Sequence, residues 1–219
     1  MQKINKKYIR SVVKKALSED LSPKGDLTTN LLFSKNKIVK AKIIAKQSGI
    51  ISGLDFCKTA FKIIGKETAF KEKTKDGKKV NKNQVIIEIR AKIKTILIAE
   101  RTALNFLNHA SGIATTTNNF VKKVGKKTKI CCTRKTTPNL RLLEKYAVKQ
   151  GGGFNHRYNL SDEVLIKDNH IKAAKDLKKL VSRASKSKKV VTVEIESMSQ
   201  LKKILGLRFK RILFDNMSI

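Results

Sequence analysis

The 219-residue chain contains no tryptophan, two prolines, three cysteines and only 5% aromatic residues. Each shortage excludes something. Without Trp and with few other aromatics, stacking platforms for single-stranded nucleic acid are poorly supplied. Cys57, Cys131 and Cys132 form an odd set with no C-x-x-C spacing. A disulfide framework and a structural zinc site are therefore both disfavoured, and reduced, buried thiols are expected. No apolar run approaches the roughly 18 residues that a membrane helix needs, and residues 1–20 lack the compact apolar stretch of a signal peptide. The expected location is the cytoplasm, with no membrane partner.

Acidic residues are scarce as well: 17 Asp plus Glu stand against 50 Lys plus Arg, for a net charge of +33. Clustered cations suggest phosphate backbones. However, only nine of the cations are Arg and 41 are Lys, in a chain also heavy in Ile and Asn. That bias is what an AT-rich coding sequence writes by itself. Net charge speaks to non-specific association and not to fold, so no nucleic-acid partner is expected. At 40% hydrophobic, the chain has enough apolar material to bury a core of one large or two small domains.

The organisation reads as two domains, 1–98 and 99–219. In the first, Tyr8, Ile9, Val12, Val13, Ala16 and Leu17 recur at helical spacing, and Ser22-Pro23-Lys24-Gly25-Asp26 stops that helix. Alternation over 39–45 predicts a half-buried strand, and Asp76-Gly77 a turn between the stretch around Phe70 and a strand over 85–89. This is an α+β unit. From 96 to 124 the pattern is helical. Strand-like and helical runs then alternate: 129–133 and 140–149, 164–167 and a single long Lys-rich helix over 171–184, 190–195 and 198–205, and last 211–215. That rhythm predicts a parallel sheet, as in an open α/β barrel. Four strands are too few to close one, so one or two βα units of roughly 30 residues are expected beyond the final strand, and the barrel reads as shortened.

In α/β barrels the C-terminal strand ends carry the chemistry. Here they read Thr133-Arg134-Lys135, Lys167-Asp168-Asn169-His170, Glu194 with Glu196, and Asp215-Asn216. Gly151-Gly152-Gly153-Phe154-Asn155-His156-Arg157 lies between the first two. Its glycines are expected to let backbone approach a ligand. With Arg101 upstream, Arg134, Lys135, His156, Arg157 and Lys167 make a set suited to a small polyanion: Arg offers a planar fork for carboxylates, Lys a point charge for phosphate. Glu194 and Asp215 are suited to share a magnesium ion, the usual arrangement where diphosphate leaves. Glu196 is a second candidate on the same strand. His109, in mid-helix without an evident partner, reads as a packing or surface residue, and His170 as a helix cap or a site residue with equal weight.

Taken together, Glu-Arg-Thr-Ala-Leu-Asn-Phe-Leu at 100–107, Ser-Gly-Ile-Ala-Thr at 111–115, Thr-Arg-Lys-Thr-Thr-Pro at 133–138, Leu-Arg-Leu-Leu-Glu-Lys-Tyr-Ala-Val at 140–148, Gly-Gly-Gly-Phe-Asn-His-Arg at 151–157, Leu-Ile-Lys-Asp-Asn-His at 165–170 and Asp-Asn-Met at 215–217 closely resemble the nicotinate-nucleotide diphosphorylase (carboxylating), or quinolinate phosphoribosyltransferase, family. Gly25-Asp26-Leu27-Thr28-Thr29 matches its N-terminal motif. The resemblance implies an N-terminal α+β sandwich-like domain, an open α/β barrel and a head-to-tail homodimer. It implies that quinolinate attacks the anomeric carbon of phosphoribosyl diphosphate through its ring nitrogen, that diphosphate leaves, and that the 2-carboxylate departs as carbon dioxide, giving nicotinate mononucleotide for NAD biosynthesis. Arg101 then serves quinolinate in the neighbouring subunit, while Thr133, Arg134, His156 and Arg157 bind it. Lys135 and Lys167 span substrate and diphosphate, and Glu194 and Asp215 position the ribose hydroxyls and magnesium. The family motif, with its 21-residue spacing to Asp215, favours Glu194 over Glu196. Two departures are Cys132, where the family often has Asp or a small residue, and Asn139, where Gly is common. The family's Gly-rich loops for the 5-phosphate of the donor follow Asp-Asn, and neither occurs in these 219 residues.

Three classes of activity therefore stand beside one another: the transferase, a non-catalytic relative that folds, dimerises or binds quinolinate without turnover, and, ranked low, a nucleic-acid binder. The pyrophosphorylase-like branch found with molybdate transport is disfavoured by the full 133–138 and Asn-His-Arg matches.

Overall fold

The structure, a computed structural model, describes residues 4–125 and 127–218. It divides into two compact units, with the break between His156 and Arg157.

The first unit opens with α1 (Lys6–Leu21), capped by Asn5, whose side chain accepts from Lys7 N at 2.8 Å. Ile9, Val13 and Leu17, four residues apart, form its buried stripe. The helix stops at Ser22, which takes φ 50°. A short helix absent from the sequence-based expectation follows, α2 (Leu27–Leu32), capped by Asp26 through Thr29 N at 2.9 Å and the Thr29 hydroxyl. These bonds hold the Asp26 carboxyl below the usual range, so the Gly-Asp-Leu-Thr-Thr motif has a local structural explanation.

Strand β1 (Ile38–Ile44) pairs antiparallel with β5 (Val85–Lys92), which also pairs with β3 (Ala69–Glu72). A small pair, β2 (Gly49–Ile50) and β4 (Lys79–Val80), lies between them in sequence. Helix α3 (Leu54–Ile64) and the 32-residue α4 (Ile93–Val124) pack on one another. Alanines 99, 103, 110 and 114 form much of the buried face of α4, and these small side chains permit the close approach. At Gly53, φ is 95° and an added Cβ would lie 3.0 Å from that of Ala110, so only glycine suits the start of α3.

The N-terminus of α3 is held from a distance. Asp76, in the Asp-Gly turn, accepts from Gly53 N at 3.1 Å, Leu54 N at 3.2 Å and the Tyr146 hydroxyl at 2.9 Å. Burial nonetheless raises the Asp76 pKa, so desolvation offsets part of what those bonds contribute. Asp76→Ala is therefore expected to lower stability by about 2 kcal/mol rather than the sum of three charge-assisted bonds. Urea unfolding measures it, and a change below about 0.5 kcal/mol, the size usual at an exposed position, would remove the proposed staple role.

The unit ends with β6 (Cys131–Cys132), α5 (Arg141–Gln150) and β7 (Phe154–Asn155), the two strands pairing in parallel. Strand β7 raises the number of parallel strands from the expected four to five. Two glycines of the Gly-Gly-Gly run are packed against protein. A Cβ on Gly151 would stand 2.3 Å from the Ala114 carbonyl oxygen, and one on Gly153 2.7 Å from Thr117 Cγ2. Gly151 and Gly153 thus bring the chain against α4, while Gly152 takes φ 89°, which glycine adopts freely. All three cysteines are free, but only Cys57 is buried; Cys131 is exposed and Cys132 half-buried. Burial pushes the Cys57 thiol up to about 12, which makes it inert.

The second unit holds a three-stranded parallel sheet in the order β10-β9-β8, formed by β8 (Val164–Ile166), β9 (Val191–Ile195) and β10 (Arg211–Phe214). Val191, Val193 and Ile195 anchor a separate apolar cluster with Ile166, Leu177, Val181 and Ile204. The long helix expected over 171–184 is two helices, α6 (Asp168–Ala174) and α7 (Leu177–Ala184). Lys175 takes φ 57°, and the Asp176 side chain caps the restart by accepting from Lys179 N at 3.0 Å. The break turns Leu177 and Val181 into the core, which a continuous helix of the same sequence does not require. Helix α8 (Met198–Ile204) begins at Ser197, which accepts from Gln200 N at 3.3 Å. Among the described residues, no helix is long and apolar enough to cross a membrane.

Candidate active site

In the first unit, the chain leaves β6 as Thr133-Arg134-Lys135 and leaves β7 as His156. Thr133 and Lys135 are exposed, and the Thr133 hydroxyl accepts from Lys135 N at 3.1 Å, which tightens the loop. Arg134 is half-buried, and its Nε is enclosed with no hydrogen-bond partner. An enclosed guanidinium donor without an acceptor is costly and well suited to take an anion. Asn139, farther along the loop, has φ 65°, a conformation that Gly adopts freely and Asn tolerates. The substitution for glycine is thereby accommodated.

Three residues that the strand-end rule does not select organise this loop. Lys145 is wholly buried, and its ammonium donates to Cys132 Sγ at 3.0 Å and to the His156 carbonyl at 3.2 Å. The Cys132 thiol donates to Asn155 Oδ1 at 3.1 Å. Glu144 is 8% exposed, accepts from Thr137 N at 3.3 Å and lies 2.9 Å from His109 Nε2. His109 thus has the partner that its isolated position in the sequence hid. The only signal available beforehand was a Glu-Lys pair inside the apolar pattern of α5, and a charged pair on a helix is ordinarily solvated.

Arg101 is exposed on α4 and lines a 610 Å³ cavity with Glu19, Asp20, Asn105 and His109. The lining of that cavity does not include Arg134, Lys135 or His156.

In the second unit, Lys167 follows β8, Glu194 lies near the end of β9, and Asp215 follows β10, all at the C-terminal edge of one sheet. Leu213 is in register with Glu194, and Asp215 N donates to the Ile195 carbonyl at 3.0 Å, continuing the pairing by one residue. Burial raises the Glu194 pKa most, the charge of Asp215 raises it further, and Lys167 opposes both. Asp168 and Glu196 also raise it, so Glu194, Asp215, Asp168 and Glu196 surround Lys167 with negative charge in one small region. Glu196 lies beyond β9, exposed, with its N–H donating to Gln200 at 2.7 Å. His170 is a capping residue: its Nδ1 accepts from Lys167 N at 3.2 Å. The Arg157 guanidinium donates to the Glu163 carbonyl at 3.3 Å, and the Glu163 carboxylate pairs with Arg211 at 2.8 Å.

The donor set fits magnesium. Glu194 and Asp215 supply hard oxygens, and Mg²⁺ is commonly held by one or two carboxylates with water and phosphate oxygens completing the shell. Among the described residues, no group of three or more His, Cys, Asp or Glu side chains is arranged around a metal position.

Residues 26–111 match the quinolinate phosphoribosyl transferase N-terminal domain and residues 113–219 the C-terminal domain. The chain is 42% identical over 217 residues to a probable nicotinate-nucleotide pyrophosphorylase [carboxylating] of Methanocaldococcus jannaschii, covering 96% of this chain and 75% of that protein. It is 36% identical to the Bacillus subtilis protein of the same description, covering 97% and 74%. NadC from Streptococcus pyogenes superposes with a TM-score of 0.93 at 38% identity, covering 100% of this chain and 79% of that one. The fold is accordingly an N-terminal α+β sandwich-like domain followed by α/β-barrel strands and helices, and the chain belongs to the quinolinate phosphoribosyltransferase family.

Proposed function

We propose that this protein transfers the phosphoribosyl group of phosphoribosyl diphosphate to quinolinate with loss of carbon dioxide, yielding nicotinate mononucleotide and diphosphate for NAD biosynthesis. The observation that carries the reading is the enclosed, unpartnered Nε of Arg134 beyond the end of a parallel strand, a donor of the kind a carboxylate takes. Quinolinate is assigned to Thr133, Arg134, His156 and Arg157, with Arg101 serving the site of a partner in a homodimer. Lys135 and Lys167 take diphosphate and substrate charge, and Glu194 and Asp215 take the ribose hydroxyls. A magnesium ion held by those two carboxylates would neutralise the leaving diphosphate. Quinolinate's ring nitrogen forms the bond to the anomeric carbon as the bond to diphosphate breaks. As the 2-carboxylate departs as carbon dioxide, its bonding electron pair stays on the ring carbon, where the adjacent positive nitrogen stabilises it, and that carbon then takes a proton. The chain's share of the work is to hold two anions together and compensate their charge, which is where orientation and preorganised donors contribute most. The domain division 1–98 and 99–219 and a cytoplasmic location belong to the same reading.

Incubation with carboxyl-labelled quinolinate, phosphoribosyl diphosphate and magnesium tests it. Labelled carbon dioxide and nicotinate mononucleotide in equal amounts are expected. Quinolinate binding without release would favour the non-catalytic relative, and no binding would remove both readings. Combining Glu194→Gln with Asp215→Asn is expected to weaken magnesium-dependent binding of phosphoribosyl diphosphate on the order of tenfold to a hundredfold. Unchanged titration curves would remove the two carboxylates from the donor site.

A further inference from the structure

Lys145 stands where the pattern of α5 would suit an apolar residue, between buried Leu143 and Ala147, and is itself 0% exposed. A buried ammonium is expensive to desolvate, and an apolar side chain of similar volume is often as stabilising or more so. Stability alone therefore does not account for a charge at this position. What the ammonium holds gives a reason. Among its partners are Cys132 Sγ and the His156 carbonyl, which belong to the last residue of β6 and the first residue after β7, and Cys132 lies in register with Asn155. A third bond, from the Cys132 thiol to Asn155 Oδ1, closes the cross-link between the strand ends. The next residues outward are Thr133-Arg134 on one strand and Arg157 on the other. One buried cation thus ties together the two strand ends from which the proposed quinolinate-binding groups project. The preceding residue, Glu144, holds the far side of the same loop through Thr137 N.

We infer that Lys145 is a positioning residue: it fixes the separation and orientation of the Arg134 and His156 strand ends, and through them sets quinolinate affinity without touching quinolinate. The tie between the strands stands on the geometry alone; its effect on affinity rests on the proposed function. A small misplacement of a binding group has large consequences, so a cross-link at the base of both loops has leverage on affinity that a core contact elsewhere lacks.

The test uses Lys145→Met, which fills the space without the donors, and Cys132→Ala, which removes one acceptor and leaves the lysine in place, with Cys132→Ser as the conservative rescue. Amide hydrogen exchange at 133–137 and 155–158 is expected to quicken in Lys145→Met at both strand ends, to quicken less in Cys132→Ala, and to return towards wild type in Cys132→Ser. Quinolinate affinity in Lys145→Met should fall on the order of tenfold to a hundredfold, while phosphoribosyl diphosphate affinity, to which this loop contributes Lys135 but not Lys167, Glu194 or Asp215, should fall clearly less than quinolinate affinity. If Lys145→Met does not fold, the two Cys132 variants carry the same comparison. Unchanged exchange at both strand ends overturns the tie. Faster exchange with unchanged quinolinate affinity overturns the link to binding. A wild-type protein that binds no quinolinate removes the proposed function, while the exchange comparison still decides the tie.

Discussion

Arg134→Ala is expected to weaken quinolinate binding by about 10²- to 10³-fold while leaving the protein at least as stable as wild type. The affinity loss follows from charge-assisted hydrogen bonds worth roughly 1.5–3 kcal/mol each when donor and acceptor are both ionised and desolvated. Two such bonds to one carboxylate, partly offset by the water that replaces them, leave about 3–4 kcal/mol, and each 1.4 kcal/mol is tenfold. The stability side follows from the same atom: Nε is enclosed and has no acceptor in the free protein. Deleting a buried donor that lacks a partner removes a penalty rather than a contact. A side chain that binds ligand at the expense of the unliganded fold should show this opposition, and one that merely packs should not. Arg134→Lys, which keeps the charge and loses the planar fork, should fall between. Calorimetric titration with quinolinate and a thermal scan of each variant measure both sides. An Arg134→Ala protein within threefold of wild-type affinity would remove the carboxylate role.

How much of this was legible in the sequence depends on whether a residue's task is local. Strands β1, β5, β6, β8, β9 and β10, with α1, α4, α5 and α8, followed from patterning because the buried stripe of each is written in its own residues, whereas the two-residue strands β2, β4 and β7 are too short to leave a pattern. Strand-end residues such as Lys167, Glu194 and Asp215 followed from a rule of topology, and the sheet places all three along one edge. The failures concern tasks that need a second element. Asp176 as a cap divided a helix that periodicity joined, because the stripe Ile171, Ala174, Leu177, Val181 continues through the break and the pattern cannot register a change of axis. The glycines at 151–153 look like a ligand-binding loop until α4 is placed against them. Nothing in the pattern gives a reason to bury Lys145 and Glu144, because burial of a charge depends on partners from other elements, more than ten residues away in sequence for Cys132, His156 and His109. The family resemblance supplied roles for strand-end residues but offered none for the residues beneath them.

Gly151→Ala carries the largest expected effect on the fold, and it separates the packing explanation of the glycine run from the ligand explanation. The added methyl would be 2.3 Å from the Ala114 carbonyl oxygen and 2.7 Å from Thr117 Cβ. Neither neighbour is the free end of a flexible chain: the first is helix backbone and the second a branched carbon, and Ala114 is 0% exposed. Relief therefore requires α4 and the 151–153 segment to move apart, which opens the contact that seats β7. Overpacking of this kind against backbone is expected to destabilise by about 3–5 kcal/mol, at the upper end of single-residue effects. That is a large part of a typical domain's 5–15 kcal/mol or so. The control lies on the same helix. Gly112 has nothing within 4 Å of its added Cβ and no positive φ, so Gly112→Ala should stabilise by roughly 0.5–1 kcal/mol through helix propensity. Were the run a ligand loop with open space above it, Gly151→Ala would unfold in urea with wild-type stability and lose only binding. A midpoint well below wild type for Gly151→Ala and above it for Gly112→Ala instead assigns the glycines to packing, and makes the position of His156 a consequence of how closely α4 admits the chain that precedes it.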